Sequence, residues 1–463
     1  MNGYQKTIRL TVFLVLVISG RLIGCPFCLA PPQTFSEQFL LADVVVIAEL
    51  LKFEVLNEGT QPKSTLRIRE ILSDEGHVAR RCGLSSGMSV VIFAEAAGKP
   101  GDLFLMYGDL RDPQKTQLLQ TFVGVESDSN GAVQIAGGAE PAVSSSGAIR
   151  AGAFRGDRVI RKTSLRVPDR VDWTEHLAIS ALAADYLRSM PDREQPQSER
   201  LAWYAAYLEC PDAEVAGDAW AEFGGSTYAD VKANRHLFQP ELLRQWIADP
   251  LMSPERLGLY GLMLGLSGGV EDAEFLLTHM LDEKTKEFRF GAEGLLAGFL
   301  LLRGESGLDV VESQFLSSRG SDTSRHALAM TLDFFVSYEA SVISKDRACR
   351  AMRQLVGSAV LRQTAISSLA RWEDWACLPE LIRVFDTEIE QGQVAAGHVL
   401  DESGLRAILE FARLCEKAGR DSKGPVSAAV TESSANAAEF LKRVEAANPG
   451  LLKPAEYEFT APQ

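Results

Sequence analysis

Histidine is scarce in this sequence, and the side chains that usually form metal, phosphate or nucleophile sites are not grouped. Only six of the 463 residues are histidine. They are scattered at His77, His176, His236, His279, His326 and His398. There is no H-E-x-x-H motif, no P-loop, no Cys/His group at zinc spacing and no EF-hand loop. The sequence therefore singles out no catalytic residue, no metal ligand and no cofactor-binding residue, and we expect a protein that is not an enzyme.

One pentapeptide, Gly83–Gly87, does match the G-x-S-x-G pattern of serine hydrolases. A nucleophile elbow lies between a strand and a helix. This pentapeptide instead follows the polar segment His77–Arg81 and leads into the strand-like residues Val90–Phe93. We interpret it as a glycine-rich turn.

Apolar runs long enough to cross a membrane are also missing near the start of the chain. The run Leu10–Ile18 is far short of the ~20 residues that a spanning helix needs. Lys6 and Arg9 precede it and small residues follow, which is the pattern of a secretory signal peptide over residues 1–24. We therefore expect export to the periplasm, the cell envelope or the extracellular space. The residues that end at Cys25 also fit the site at which bacterial lipoproteins are acylated, so a lipid anchor on Cys25 stays open.

Basic residues are fewer than acidic ones. The chain has 47 Lys and Arg against 62 Asp and Glu, a formal net charge of −15. Lys6, Arg9 and Arg21 are the only charged residues of the predicted leader, so its removal changes the charge to −18. Because so acidic a chain repels phosphate backbones, we expect no nucleic-acid partner.

Cysteine falls into two groups. The seven cysteines are Cys25, Cys28, Cys82, Cys210, Cys349, Cys377 and Cys415. The last four lie in or beside predicted helices, where we expect small buried hydrophobic side chains. Export would permit disulfides, and an odd number leaves one cysteine unpaired, lipidated or joined to another chain. For Cys25 and Cys28 we expect a structural disulfide; thiol-redox chemistry is the alternative.

Residues 25–165 are predicted to form a small β module. Strand-like patterns occur at Asp43–Glu49, Ser64–Leu72, Ser89–Ala94 and Asp102–Tyr107, separated by Gly, Pro and Asp turns. No helical pattern alternates with them, so a parallel sheet is not expected and a small barrel is. The segment Gly124–Gly147 is rich in Gly, Ser and Ala and is predicted to be a long loop.

This module resembles the netrin-like OB-fold modules, a group that includes the tissue inhibitors of metalloproteinases. The residues that carry the resemblance are Cys25-Pro26-Phe27-Cys28, Ala42–Ala48 and the strands that follow Gly87 and Gly101. In those inhibitors a loop cysteine bridges to the N-terminus, so the resemblance implies that Cys82 pairs with Cys25 or Cys28. They chelate zinc through an N-terminal Cys-x-Cys. The Cys-x-x-Cys of this chain departs from that pattern, which argues against the same chelation.

From residue 172 to 446 helical periodicity takes over. Early helices are predicted at Trp173–Ser189, Glu199–Glu209, Asp212–Phe223 and Glu241–Ala248. Inner helices are then expected to begin near residues 253, 288, 324, 358 and 403, and outer helices near 272, 305, 345, 376 and 434. The first four inner starts lie 35, 36 and 34 residues apart, which is typical of stacked HEAT-like helix pairs in an α-solenoid. Lys423–Ser434 is predicted to be a flexible insert, and residues 447–463 a disordered tail.

Two of the predicted inner helices share a glycine pattern. Glycines recur at i, i+3 and i+7 in Gly258, Gly261 and Gly265, and again 33 residues later in Gly291, Gly294 and Gly298. This spacing places each set on one helix face. Glycine costs a helix interior roughly 1 kcal/mol relative to alanine. Three on one face therefore predict that a neighbouring backbone comes too close to admit a Cβ.

Arg371, Trp372 and Trp375 form the most prominent aromatic cluster of the array. The two tryptophans share a helical face with apolar residues, which favours packing between repeats. The alternative is a partner-binding patch on the solenoid, because Trp and Arg often anchor protein partners.

The whole layout is similar to a group of uncharacterised exported bacterial proteins that combine an N-terminal CPFC, a small barrel and a helical array. The resemblance implies architecture and localisation but no activity. We expect an exported scaffold that binds a protein partner through its helical array. The alternatives are an inhibitor or enzyme with a site between barrel and array, or a thiol-redox protein that uses Cys25 and Cys28.

Overall fold

The computed structural model describes residues 27, 33–54, 62–110, 170–281, 291–317, 320–394, 401–421 and 428–452. These residues form two compact units. The sheet unit comprises residues 33–192 and 209–218, and the helical unit comprises residues 1–32, 193–208 and 219–463. Across the described ranges, no helix combines the length and the apolar character that a membrane span requires. The predicted signal peptide, Cys25, Cys28 and the loop Gly124–Gly147 lie outside the described residues.

A five-stranded antiparallel sheet with strand order β3-β2-β1-β4-β5 forms the centre of the sheet unit. Its strands are β1 (Val44–Glu54), β2 (Lys63–Asp74), β3 (Ser89–Ile92), β4 (Leu103–Leu110) and β5 (Val171–Ile179). Three helices accompany them: α1 (Phe35–Leu41), α2 (Val78–Cys82) and α3 (Ala181–Ser189). The first four strands confirm the sequence prediction.

The sheet is open, so the predicted closed barrel is wrong. Among the described strands β3 and β5 are the two edges, and they do not pair with each other. The central strand shows why. Val44 and Val46 belong to the core on one face, yet Val45 and Ile47 on the opposite face are also fully buried. Because β1 is covered on both faces, the sheet is a middle layer rather than a barrel wall with one side in solvent.

Residues 171–179 correct a second prediction. The helix expected from Trp173 to Ser189 is wrong over its first half, because Val171–Ile179 forms the edge strand β5 on β4. Helix α3 begins only at Ala181, after Ser180 caps it by accepting a hydrogen bond from the Ala183 N–H. Pairing with β4 supplies backbone partners that local periodicity does not show.

Helices make up the remaining described chain. They are α4 (Gln197–Tyr204), α5 (Ala213–Gly224), α6 (Tyr228–Ala233), α7 (Pro240–Ala248), α8 (Pro254–Ser267), α9 (Val270–Leu281), α10 (Ala292–Phe315), α11 (Asp322–Tyr338), α12 (Lys345–Arg353), α13 (Arg362–Arg371), α14 (Leu378–Val394), α15 (Glu402–Asp421) and α16 (Ala428–Ala447). In the helical unit, α8 packs on α10, α10 on α11, α11 on α13 and α13 on α15, and these are the inner helices. The described arrangement is therefore repeat-like.

The glycine faces of α8 and α10 meet as predicted. A Cβ added to Gly261 would lie 2.6 Å from the Cα and N atoms of Leu295. A Cβ on Gly265 would fall on the backbone of Gly298, and one on Gly294 would fall on the backbone of Gly258. The obstacles are backbone atoms, which cannot rotate aside as a side chain would. The missing side chains thus allow two apolar helices to lie in backbone contact.

Helix spacing is less regular than predicted. The inner helices begin at Pro254, Ala292, Asp322, Arg362 and Glu402, which are 38, 30, 40 and 40 residues apart. The outer helix expected near 305 is confirmed, because the range of α10 contains two helices that are joined at Gly304, whose φ of 60° and ψ of −149° are open only to glycine.

Two predictions about the C-terminal region are also corrected. Helix α16 begins at Ala428, so the prediction of a flexible insert over Lys423–Ser434 is wrong from Ala428 onward. A 3-10 turn at Pro449–Leu452 occupies the start of the predicted tail.

Candidate functional site

The exposed side of the inner helices carries a row of four polar residues and one methionine that we call the inner-face stripe. It consists of Glu293 on α10, His326, Met330 and Asp333 on α11, and Arg371 on α13. In α11 the exposed or half-exposed positions 326, 330 and 333 follow helical spacing, while Ala327, Leu328 and Leu332 between them are buried. Helix α11 therefore packs one face on the core and exposes the other face to solvent.

Asp333 and Arg371 form the most ordered part of the stripe. The Arg371 Nη2 donates to Asp333 Oδ1 at 2.5 Å and to Ser368 Oγ at 3.1 Å. The Ser368 hydroxyl donates to the other Asp333 oxygen at 2.9 Å. The Arg371 side chain is 62% exposed, so the pair itself adds at most about 1 kcal/mol to stability. Its effect is to fix the orientation of a guanidinium and a carboxylate that remain accessible.

Glu293 lies at the other end of the stripe, in the first turn of α10. Burial raises the pKa of its carboxyl. Three weaker effects lower the pKa: the backbone N–H of Glu293 itself, the nearby His326 and the backbone N–H of Gly291. The Thr331 hydroxyl donates to the Glu293 carbonyl at 2.9 Å and to the Ala327 carbonyl at 2.8 Å. The α10–α11 contact thus holds Glu293 in a half-buried position.

The predicted partner-binding residues divide between surface and interior. Trp372 and Trp375 are 4% and 8% exposed, and the Trp375 ring lies 5.3 Å from that of Phe411 on α15. This burial favours packing between helices for the two indoles. Arg371 is the one of the three that reaches the surface.

Two buried arginines connect neighbouring helices of the helical unit. Arg347 on α12 donates to Glu312 at 2.8 and 2.7 Å and to Asp309 at 2.7 Å. Arg362 on α13 donates to Asp401 at 2.8 Å and to Glu388 at 3.3 Å. Planar guanidinium groups of this kind fix geometry through several hydrogen bonds at once. They fix the positions of neighbouring helices relative to one another.

Other sequence motifs prove to be structural. The pentapeptide Gly83–Gly87 is a turn between α2 and β3, with the Ser86 hydroxyl donating to the Arg69 carbonyl at 2.7 Å, which confirms the interpretation as a turn. Within the described ranges, no group of three or more His, Cys, Asp or Glu could hold a metal ion.

The helical cysteines differ in burial. Cys349, Cys377 and Cys415 are buried, as predicted, and Cys210 is half-buried. Burial raises the pKa of their thiols to about 11 for Cys349, about 12 for Cys377 and about 11 for Cys415, so all three are protonated at neutral pH. The implied pairing of Cys82 stays a prediction, because Cys25 and Cys28 lie outside the described residues.

Comparisons with known proteins do not assign this chain to a family. No family model matches the chain, and no curated protein matches it. A solved structure of human deoxyhypusine hydroxylase in complex with glycerol matches over 55% of this chain and 94% of that one, with 14% sequence identity and a TM-score of 0.21. A similarity at that TM-score supports no conclusion about fold or function.

Sequence reasoning missed four members of the stripe. Glu293, His326, Met330 and Asp333 belong to no motif, and only their exposed helical spacing distinguishes them. The i, i+4, i+7 spacing in α11 is the signal that could have found the last three. Glu293 could not be found in this way, because it joins the stripe only through the packing of α10 on α11.

Proposed function

We propose that this chain is an exported, non-enzymatic protein that binds a protein partner through a HEAT-like stack of helix pairs, with the inner-face stripe as the recognition surface. The observation that carries the proposal is the Asp333–Ser368–Arg371 network, which holds an accessible anion and cation in fixed positions on neighbouring inner helices. Fixed side chains lose little conformational entropy on binding, which favours recognition by a preformed surface.

The helical scaffold supports the same proposal. Two features restrict movement between helix pairs. One is the backbone contact between the glycine faces of α8 and α10, which we call the glycine nest, and the other is the buried Arg347 and Arg362 networks. Stacked repeats of this kind offer a long continuous surface, which suits a protein partner better than a small molecule. Met330, which is 36% exposed between His326 and Asp333, adds an adaptable apolar contact.

Export and the disulfide of Cys82 with Cys25 or Cys28 belong to the proposal as well. A lipid anchor on Cys25 is the alternative, and it would leave Cys28 as the partner of Cys82. These expectations rest on the signal-peptide pattern and on the resemblance to exported bacterial proteins with an N-terminal CPFC. The closed netrin-like barrel is not part of the proposal, because the observed sheet is open.

Site-specific photo-crosslinking in intact cells tests the recognition surface. A photoreactive residue would replace Met330 of the stripe or Ser367, which is exposed on α13 one turn before Arg371. The exposed Arg350 on the outer helix α12 serves as the matched control. We expect the same discrete cross-linked protein from positions 330 and 367, none from position 350, and a several-fold lower yield when Arg371→Ala is added. Equal products from all three positions, or none from any, would count against the proposal.

A further inference from the structure

Phe27, from the Cys-Pro-Phe-Cys motif, is buried among the helices. It is the one residue before Gln33 that the structure describes, and it belongs to the helical unit. Only 3% of its surface is exposed. Its ring centroid lies 4.9 Å from that of Phe334 on α11, at an interplanar angle of 57°. Tilted contacts at this distance are a favourable geometry for two aromatic rings.

Gly258 admits the Phe27 backbone to this position. A Cβ added to Gly258 would lie 2.5 Å from the Phe27 carbonyl oxygen, and the next nearest atom, the Gly291 Cα, would be 3.3 Å away. The other two glycines of the same α8 face, Gly261 and Gly265, meet the backbone of α10 instead. Gly258 therefore leaves room for the Phe27 carbonyl in addition to its part in the contact between α8 and α10.

The side chains around Phe334 are themselves fixed. Tyr228 on α6 contacts Phe334 edge-on at 4.9 Å, and its hydroxyl donates to Glu339 at 2.6 Å. Glu339 is 5% exposed and also accepts from the Lys232 ammonium. Burial and the hydrogen bond to Glu339 raise the pKa of Tyr228, which keeps its hydroxyl protonated as a donor. The aromatic wall therefore has one defined shape.

We infer that Gly258, Phe334 and Tyr228 form a receptor site, the Phe27 socket, for the Cys-Pro-Phe-Cys segment. The socket recognises one aromatic side chain and the carbonyl that follows it, and it holds Phe27 on the helical unit without requiring a disulfide. Cleavage at the predicted site would make Phe27 the third residue of the mature chain, so the socket would capture the new N-terminus. When Phe27 is removed, the socket accepts a small aromatic molecule in its place.

Replacing Phe27 and refilling the socket tests the inference. In the full-length mature protein under reducing conditions, Phe27→Ala is expected to lower the unfolding midpoint of the helical unit by roughly 5–10 °C. Toluene should restore part of the lost unfolding midpoint, because an apolar cavity left by a phenyl ring can bind a small aromatic molecule. Phe93→Ala is the matched control, since Phe93 is 70% exposed and should show neither effect. A Phe27→Ala protein that behaves like Phe93→Ala would overturn the inference.

A double-mutant cycle tests the role of Gly258. Gly258→Ala is expected to lower the midpoint less in the Phe27→Ala background than in the wild type, because both changes release the same segment. Val311→Ala, a buried truncation in the outer half of α10, should give the same shift in both backgrounds. Full additivity of Gly258→Ala with Phe27→Ala would show that Gly258 does not serve the segment. If Gly258→Ala does not fold, the toluene experiment on Phe27→Ala still decides whether the socket exists.

Discussion

Strand β1 in the sheet unit and helix α8 in the helical unit are both closely packed, but for opposite reasons. In β1, the run Val44–Ile47 fills both faces of a sheet layer with branched side chains that are fully buried. In α8, an equally apolar stretch packs closely because Gly261 and Gly265 have no side chains. The backbone of α10 occupies the space where their Cβ atoms would lie. The first arrangement depends on atoms that are present and the second on atoms that are missing. The β1 layer and the α8–α10 contact should therefore fail under opposite kinds of substitution.

Removing atoms from β1 should have the largest effect. Ile47 is fully buried and lies opposite Leu105 of β4, so Ile47→Ala leaves a cavity in the sheet layer. We expect a loss of about 3–4 kcal/mol in the free energy of unfolding of the sheet unit, measured by urea denaturation. Val91→Ala on β3 is the control, because Val91 is 41% exposed and its truncation should change stability by less than about 0.5 kcal/mol. Similar losses for both would show that β1 is not covered on both faces.

Adding one carbon to the glycine nest should come next. Gly261→Ala places a Cβ 2.6 Å from the Leu295 backbone, and we expect a net loss of about 2–3 kcal/mol although alanine favours the helix. Gly217→Ala on α5 is the matched control, because no atom lies within 4 Å of its added Cβ. That substitution should be neutral or stabilise by up to about 1 kcal/mol. If both changes stabilise, α8 and α10 are not in backbone contact.

These two regions also show how far sequence reasoning reaches. The glycine spacing of α8 and α10 predicted backbone contact correctly, because that information is local and periodic. The run Val44–Ala48 predicted a buried strand, but nothing local says whether its second face meets helices or solvent. The barrel was expected because no helical pattern alternates with the strands, and whether a sheet closes depends on contacts that are not local. Strand β5 was missed for the same reason, since its partner β4 lies about 60 residues earlier in the chain.

The candidate site shows the same limit. Arg371 was found because it adjoins two tryptophans, yet those indoles are buried and its hydrogen-bond partners are Asp333 and Ser368. These residues meet only when α11 packs on α13. Likewise, Phe27 gave no sign that a glycine 231 positions later leaves room for its carbonyl. Contacts between distant helices are set by packing, which a single sequence does not display.

Tyrosine hydroxyls allow the two units to be compared on equal chemistry. Tyr186 in the sheet unit and Tyr228 in the helical unit each donate to a buried carboxylate, Asp218 or Glu339, at 2.6 Å. Each Tyr→Phe change should cost about 1.5–3 kcal/mol, because it removes a hydrogen bond to a charged group. Tyr107→Phe is the control, since its buried hydroxyl has no hydrogen-bond partner among the described residues. It should be neutral or slightly stabilising in urea denaturation, and a loss equal to that of Tyr186→Phe would reveal an unseen partner.

The smallest effect should come from Glu293, and its sign depends on pH. Because burial raises the folded pKa of Glu293, folding favours the protonated carboxyl. That contribution is fully present below the unfolded pKa and is lost as the pH rises through the folded pKa. At pH 7 the ionised group therefore carries a desolvation cost that an amide avoids. We expect Glu293→Gln to raise the urea midpoint slightly at pH 7 and to lose this advantage below about pH 4.

Glu255 provides the matched control for that prediction. It occupies the second position of α8, as Glu293 does in α10, but it is exposed. An exposed carboxylate in the first turn gains about 0.3–1 kcal/mol from the helix dipole, so Glu255→Gln should lower stability at pH 7. Opposite signs for the two substitutions would mean that burial by α11 outweighs the helix dipole at Glu293. Equal losses would mean that Glu293 is as solvated as Glu255, and the inner-face stripe would then lack its half-buried end.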